Sequence, residues 1–70
     1  MRLPVISGRE MIKVLHRKGW IVSRKTRRGS HVIMQKEGVI DELSVPLHDE
    51  LKPGIVHRCI AIAGLTGDDF

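Results

Sequence analysis

The sequence predicts an α+β fold in which two helices cover one face of a three-stranded antiparallel sheet, in the order αβββα. Three observations lead to this prediction. An apolar stripe of helical period lies near each end of the chain, three short extended segments lie between the stripes, and the connections are too short for parallel pairing. The 70 residues suffice for one domain, which we take to span 1–70.

The first predicted helix begins after Ser7 and runs to about Lys18. Ser7 and Glu10 have the spacing of a capping box, in which each side chain binds the backbone N–H of the other residue. Gly19 follows at the position where many helices end in a residue with positive φ. The apolar stripe of this helix consists of Met11, Ile12, Val14 and Leu15.

Three extended segments follow, at 20–25, 30–37 and about 39–47. A basic loop at 26–29 and a turn at 37–38 separate them, and such short connections favour an antiparallel meander. The tryptophan that opens the first segment, Trp20, is expected in the core because it follows the helix end directly.

The side chains of the second segment alternate between the two faces of the sheet. Val32 and Met34 share one face, and His31 and Ile33 share the other. We expect His31 to face solvent. Pro46 lies near the end of the third segment and lacks a backbone donor, so we expect it on an edge strand or at a strand end.

The second predicted helix begins at Pro53 and ends at Gly64. Its apolar positions include Cys59, which we expect to be buried. Because Cys59 is the one cysteine of the chain, neither an intrachain disulfide nor a cysteine-based metal site can form.

The composition is that of a soluble globular protein, with 41% hydrophobic and 29% charged residues. No apolar run approaches the ~18 residues of a transmembrane helix. The first six residues are too short for the core of a signal peptide. We therefore expect a cytoplasmic protein without a membrane partner.

The charges are divided unevenly along the chain. Residues 2–31 contain nine Lys or Arg and one acid, whereas residues 37–70 contain two Lys or Arg and seven acids. A basic half of this kind favours binding to a polyanion, and an ordinary solvated surface is the alternative interpretation.

The densest group of cations lies directly before a histidine, in the segment 24–31. An imidazole, with an ordinary pKa of about 6.5, can accept or donate a proton near neutral pH. RNA supplies its own nucleophile, the ribose 2′-hydroxyl, so its cleavage needs a base and cations but no metal ion. We predict His31 as the catalytic residue, acting as general base or general acid. The predicted RNA-binding residues are Arg24, Lys25, Arg27, Arg28, Ser30 and Lys52.

The remaining histidines carry weaker signals. His16 and His57 lie within amphipathic helices and are interpreted as surface or structural residues. His48, just past the third strand, is intermediate, and whether it assists His31 as a second acid/base residue is open. The chain has no zinc-binding pattern and no glycine-rich phosphate loop, so we expect no metal and no cofactor. With Trp20 and Phe70 as the two aromatic residues, RNA recognition should depend mainly on phosphates, shape and 2′-hydroxyl contacts.

Four segments, taken in order, resemble the HicA-type mRNA interferase toxins, also called YcfA-like proteins, over essentially the whole chain. Each motif is weak alone, and their shared order and spacing make the resemblance. They are 7–10 with the helix that ends in Gly19-Trp20, 24–31 with its Gly-Ser-His sequence, Ser44-Val45-Pro46-Leu47-His48, and 51–54 leading to 63–66 with the terminal Phe70.

The resemblance implies a compact αβββα fold similar to double-stranded-RNA-binding domains. It also implies an endoribonuclease toxin that cleaves mRNA to block translation and is neutralised by a HicB-like antitoxin. His31 matches the catalytic histidine of the family's Gly-Ser-His motif. The family often has a second histidine immediately afterwards, where this chain has Val32.

Two other functions are compatible with the sequence. The chain could be a noncatalytic double-stranded-RNA-binding module in which His31 only forms a hydrogen bond, since fold alone does not choose function. It could also be an inactive toxin relic that acts as a protein-binding domain. Monomer and dimer are both open.

Overall fold

The chain folds into two helices and a three-stranded sheet, which confirms the predicted αβββα order and the α+β class. The computed structural model describes residues 3–27 and 29–70. The elements are α1 (Gly8–Arg17), β1 (Ile21–Lys25), β2 (His31–Gln35), β3 (Leu43–Pro46) and α2 (Pro53–Ala63), followed by a 3₁₀ turn at Gly67–Asp69.

The sheet is an antiparallel meander with β2 at its centre. The first residue of β2, His31, pairs with Pro46 at the end of β3. This position of Pro46, on an edge strand and at its end, is the predicted one. The pairing of β1 with β2 is irregular between Val22 and Arg24, and all five residues of β1 are exposed.

The core lies between one face of the sheet and the two helices. Val32 and Met34 point into it, as their alternation with His31 and Ile33 predicts. Trp20 and Cys59 are also buried, in agreement with the sequence. No polar or charged side chain among the described residues is buried. Besides Cys59, the core residues of the helices and β3 are Met11, Val14, Leu15, Leu43, Val45 and Val56.

The helix ends form as the sequence predicts. The N–H of Glu10 donates to the Ser7 hydroxyl at 3.1 Å, and the N–H of Ser7 donates to the Glu10 carboxylate at 3.2 Å. The backbone N–H and then the hydroxyl of Ser7 lower the pKa of Glu10. Gly19, just after α1, has φ of 93°, and Gly64, which caps α2, has φ of 67°.

The third strand is shorter than predicted, because it begins at Leu43 and not near Val39. The N–H of Val39 donates to the carbonyl of Lys36 at 3.0 Å, which closes the predicted turn at 37–38, and residues 39–42 after the turn lie outside the strand. Ile40 is 99% exposed, whereas Val39 is partly buried and packs against the core without joining the strand.

The C-terminal segment docks against the end of α1. Arg17 donates to the carbonyl of Asp69 at 3.2 Å, and Lys18 lies 3.4 Å from the Asp69 carboxylate. The backbone N–H of Thr66, and then Lys18, lower the pKa of Asp69. Within the described ranges, no helix has the length and apolar character needed to cross a membrane.

Two backbones touch where the first turn of α1 meets the chain after β3. The N–H of Gly8 donates to the carbonyl of His48 at 2.9 Å. A β-carbon on Gly8 would lie 2.0 Å from the carbonyl oxygen of Pro46, which is well inside van der Waals contact. Glycine is therefore required here by close approach.

Gly8→Ala is expected to lower the free energy of unfolding by about 1–3 kcal/mol, because backbone atoms must move to make room for the added methyl group. Denaturant unfolding measures this change. Gly54→Ala in α2 is the matched control, since a β-carbon there meets nothing within 4 Å. Alanine at position 54 should be neutral or stabilising, by up to about 1 kcal/mol. Equal stability of the two variants would contradict the packing argument.

Burial raises the pKa of the Cys59 thiol from 9.0 to about 11. Between these values the unfolded chain loses the thiol proton while the folded chain keeps it, so the free energy of unfolding should fall as the pH rises from about 9 to 11. Denaturant unfolding across this range measures the slope. Cys59→Val should remove the part of the slope that the thiol contributes, and an unchanged slope would show that other groups cause it.

Candidate functional site

His31 lies on the face of the sheet opposite the helices, at the start of β2. Its side chain is partly exposed, which agrees with the expectation that it faces solvent. Nδ1 of His31 lies 3.1 Å from the hydroxyl oxygen of Ser30, within hydrogen-bond distance. Nε2 has no hydrogen-bond partner among residues 3–27 and 29–70. One ring nitrogen is thus held by the protein, while the other is available to a ligand.

The basic loop between β1 and β2 is tied to the backbone of His31. The N–H of Thr26 donates to the His31 carbonyl at 3.0 Å, and the N–H of His31 donates to the Thr26 hydroxyl at 3.3 Å. Inside the loop, the N–H of Gly29 donates to the carbonyl of Thr26 at 2.8 Å, and Gly29 has φ of 69°. These bonds fix the loop, which includes Arg27, against the backbone of His31.

A second imidazole lies beside the first. The ring centres of His31 and His48 are 6.4 Å apart, with an angle of 66° between the ring planes. The N–H of Leu47 donates to the carbonyl of Ser30 at 2.8 Å, so the residues that precede the two histidines are joined directly. The His48 side chain is exposed.

The predicted phosphate-binding cations differ in their surroundings. Lys25 and Arg27 are exposed. Arg24 donates twice to the Glu42 carboxylate, at 3.2 and 3.4 Å, and Gln35 also donates to this carboxylate. The hydrogen bonds from Arg24 and then Gln35 lower the pKa of Glu42. Arg24 therefore has a protein partner that a phosphate would need to displace.

Two of the other predicted RNA-binding residues, Ser30 and Lys52, lie in the described part of the chain. Ser30 is exposed and contacts His31, whereas Arg28 lies outside the described residues. Lys52 is exposed at the N-cap of α2, where it lines a shallow cleft with residues 3–5. No group of three or more His, Cys, Asp or Glu side chains converges to form a metal site in the described part of the chain.

Comparison with known proteins identifies the family. A family model described as the HicA toxin of bacterial toxin-antitoxin systems matches residues 8–65. The chain belongs to the HicA toxin family. A search of curated proteins and a search of solved structures each found no match. The HicA match extends from the start of α1 to the end of α2 and includes both His31 and His48, so this protein is a toxin of a toxin-antitoxin pair.

The sequence predicted His31 as the catalytic residue, but it did not show that His48 lies beside His31 in the fold. The missing information is the register of β3 against β2, which pairs His31 with Pro46 and leaves His48 two residues further on. The signal was the motif 44–48, which supported the resemblance to HicA toxins but to which no function was assigned.

Gly29→Ala is expected to lower the free energy of unfolding by about 1–2 kcal/mol, because a residue with a β-carbon is strained at positive φ. Gly29→Asn should cost less, since asparagine tolerates this conformation. Denaturant unfolding measures both. Gly67→Ala is the control, because Gly67 has ordinary φ and, like Gly29, open space around it. A Gly29→Ala variant as stable as Gly67→Ala would contradict the expected strain.

Proposed function

We propose that this HicA-family toxin is a metal-independent endoribonuclease that cleaves mRNA and thereby blocks translation. The observation that carries the proposal is the environment of His31. Its imidazole is partly exposed on the uncovered face of the sheet, and Ser30 holds one nitrogen while the other stays open. Two exposed cations at the basic loop, Lys25 directly before it and Arg27 within it, supply positive charge for a phosphate.

In the proposed reaction His31 acts as the general base. With the Nδ1–H donating to the Ser30 hydroxyl oxygen, Nε2 carries the lone pair that takes the proton of a ribose 2′-hydroxyl. The 2′-oxygen forms a bond to the adjacent phosphorus, and the bond from phosphorus to the 5′-oxygen breaks. The departing 5′-oxygen takes up a proton, which leaves a 2′,3′-cyclic phosphate and a 5′-hydroxyl.

The loop cations would stabilise the charge that develops on the phosphate oxygens. Lys25 and Arg27 are free of ion pairs within the described ranges and are the first anchors in this proposal. Arg24 joins them when a phosphate replaces Glu42 as its partner. Ser30, Arg28 and Lys52 complete the proposed RNA-binding set, with Lys52 contacting more distant phosphates of the strand.

The partner implied by the toxin-antitoxin family is, in our proposal, a HicB-like antitoxin. Because the imidazole lies on the uncovered face of the sheet beside the basic loop, an acidic partner that covers this face and the loop would block substrate and neutralise the cations together. Such inhibition requires no change in the fold of the toxin.

His31→Ala is expected to slow RNA cleavage in the presence of a chelator by about 10²–10⁴-fold, the usual contribution of a general acid or base. Cleavage of a short synthetic RNA by purified protein measures this rate. His57→Ala, which removes an exposed histidine from α2, is the matched control and should cleave at the wild-type rate.

Equal cleavage by the wild type and the His31 variant, after contaminating nuclease is excluded, would contradict the assignment. Tight binding of RNA without cleavage by the wild type would instead favour a noncatalytic RNA-binding module. Loss of cleavage when the chelator is added would contradict the metal-independent mechanism.

A further inference from the structure

The separation of the two imidazoles matches the size of one phosphodiester group. Their ring centres are 6.4 Å apart. A hydrogen bond from a ring nitrogen to an oxygen spans about 2.9 Å. A phosphodiester that lies across both rings, not between them, can therefore bond through one oxygen to His31 and through another to His48.

The backbone fixes this arrangement from two sides. The N–H of Leu47 donates to the carbonyl of Ser30, and the N–H of Gly8 donates to the carbonyl of His48. Because a β-carbon on Gly8 would overlap the Pro46 carbonyl, the first turn of α1 lies directly against the segment that carries His48. The rings are thus close because their main chains are joined, which is how catalytic groups are positioned in advance of substrate.

We infer that His48 is a second catalytic residue, the general acid that protonates the departing 5′-oxygen when His31 deprotonates the 2′-hydroxyl. This inference rests on the proposed ribonuclease function. One proton passes from the 2′-hydroxyl to His31 and one from His48 to the 5′-oxygen, while one oxygen–phosphorus bond forms and another breaks. Both imidazoles return to their starting states by exchanging protons with water.

The surroundings of the two rings support the assignment of His31 as general base and His48 as general acid. The Ser30 hydroxyl contacts Nδ1 of His31 and orients the ring, as a general base requires. The His48 ring is exposed, and nothing within the described ranges is hydrogen-bonded to it. It is therefore free to bind the 5′-oxygen and to recover a proton from solvent after each turnover.

A pair of substrates tests the inference. One is a short RNA with a normal cleavable linkage, and the other has sulfur in place of the bridging 5′-oxygen, because a departing thiolate needs no proton. His48→Gln should cleave the normal linkage at least ~10²-fold more slowly than the wild type. It should cleave the sulfur-containing linkage within about tenfold of the wild-type rate, since no general acid is needed there.

Two results would overturn the inference. The first is cleavage of the normal linkage by His48→Gln at the wild-type rate. The second is equally slow cleavage of both linkages, which would indicate phosphate binding without proton transfer. His48→Phe distinguishes proton donation from a structural role of the ring, because phenylalanine keeps an aromatic ring beside His31 but cannot donate a proton. Full activity of this variant would show that the edge-to-face ring contact is what matters.

The same assay separates this inference from the proposed function. His31→Gln should be slow on both substrates, because removal of the 2′-hydroxyl proton is needed in each case. If the wild type cleaves neither linkage, or if His31→Gln cleaves both normally, the proposed function fails whatever the His48 variant does. His57→Gln controls for loss of an exposed histidine, and thermal unfolding of each variant verifies the fold.

Discussion

The contact between the first turn of α1 and the chain after β3 determines much of this structure. The N–H of Gly8 binds the carbonyl of His48, and the absence of a side chain at Gly8 lets the two backbones meet. The capping box of Ser7 and Glu10 fixes the start of the helix at this point. A local helix signal thereby places the segment after β3, and with it one wall of the candidate site.

The two faces of the sheet carry different kinds of side chain. One face carries the apolar side chains that pack against the helices, and the other carries His31 together with Arg24 and its partners Glu42 and Gln35. Since no polar side chain of the described residues is buried, the core depends on apolar packing, and the charged groups remain at the surface. In a domain of this size, the polar face can serve binding without placing charges in the core.

The sequence was most informative where structure is determined locally. The cap at Ser7, Pro53 at the start of α2 and Gly64 at its end each depend on a few neighbouring residues, and all were predicted. The turn at 37–38 was predicted too, but the start of β3 was not, because residues 39–42 stay outside the sheet and the apolar pattern does not show this. Likewise, the ion pair of Arg24 and the proximity of His48 depend on strand register. Long-range pairing was thus the part that sequence pattern could not supply.

The irregular pairing of β1 has a consequence for this edge of the sheet. Between Val22 and Arg24 the regular alternation of the backbone pairing is interrupted, and Lys25 adds a charge at the strand's end. A regular, exposed edge strand can pair with a strand of another molecule, whereas β-bulges and lysines on the edge strand disfavour such pairing. A toxin separated from its antitoxin would therefore be protected against fibrous self-association along this side, even though Ile21 and Val22 are exposed.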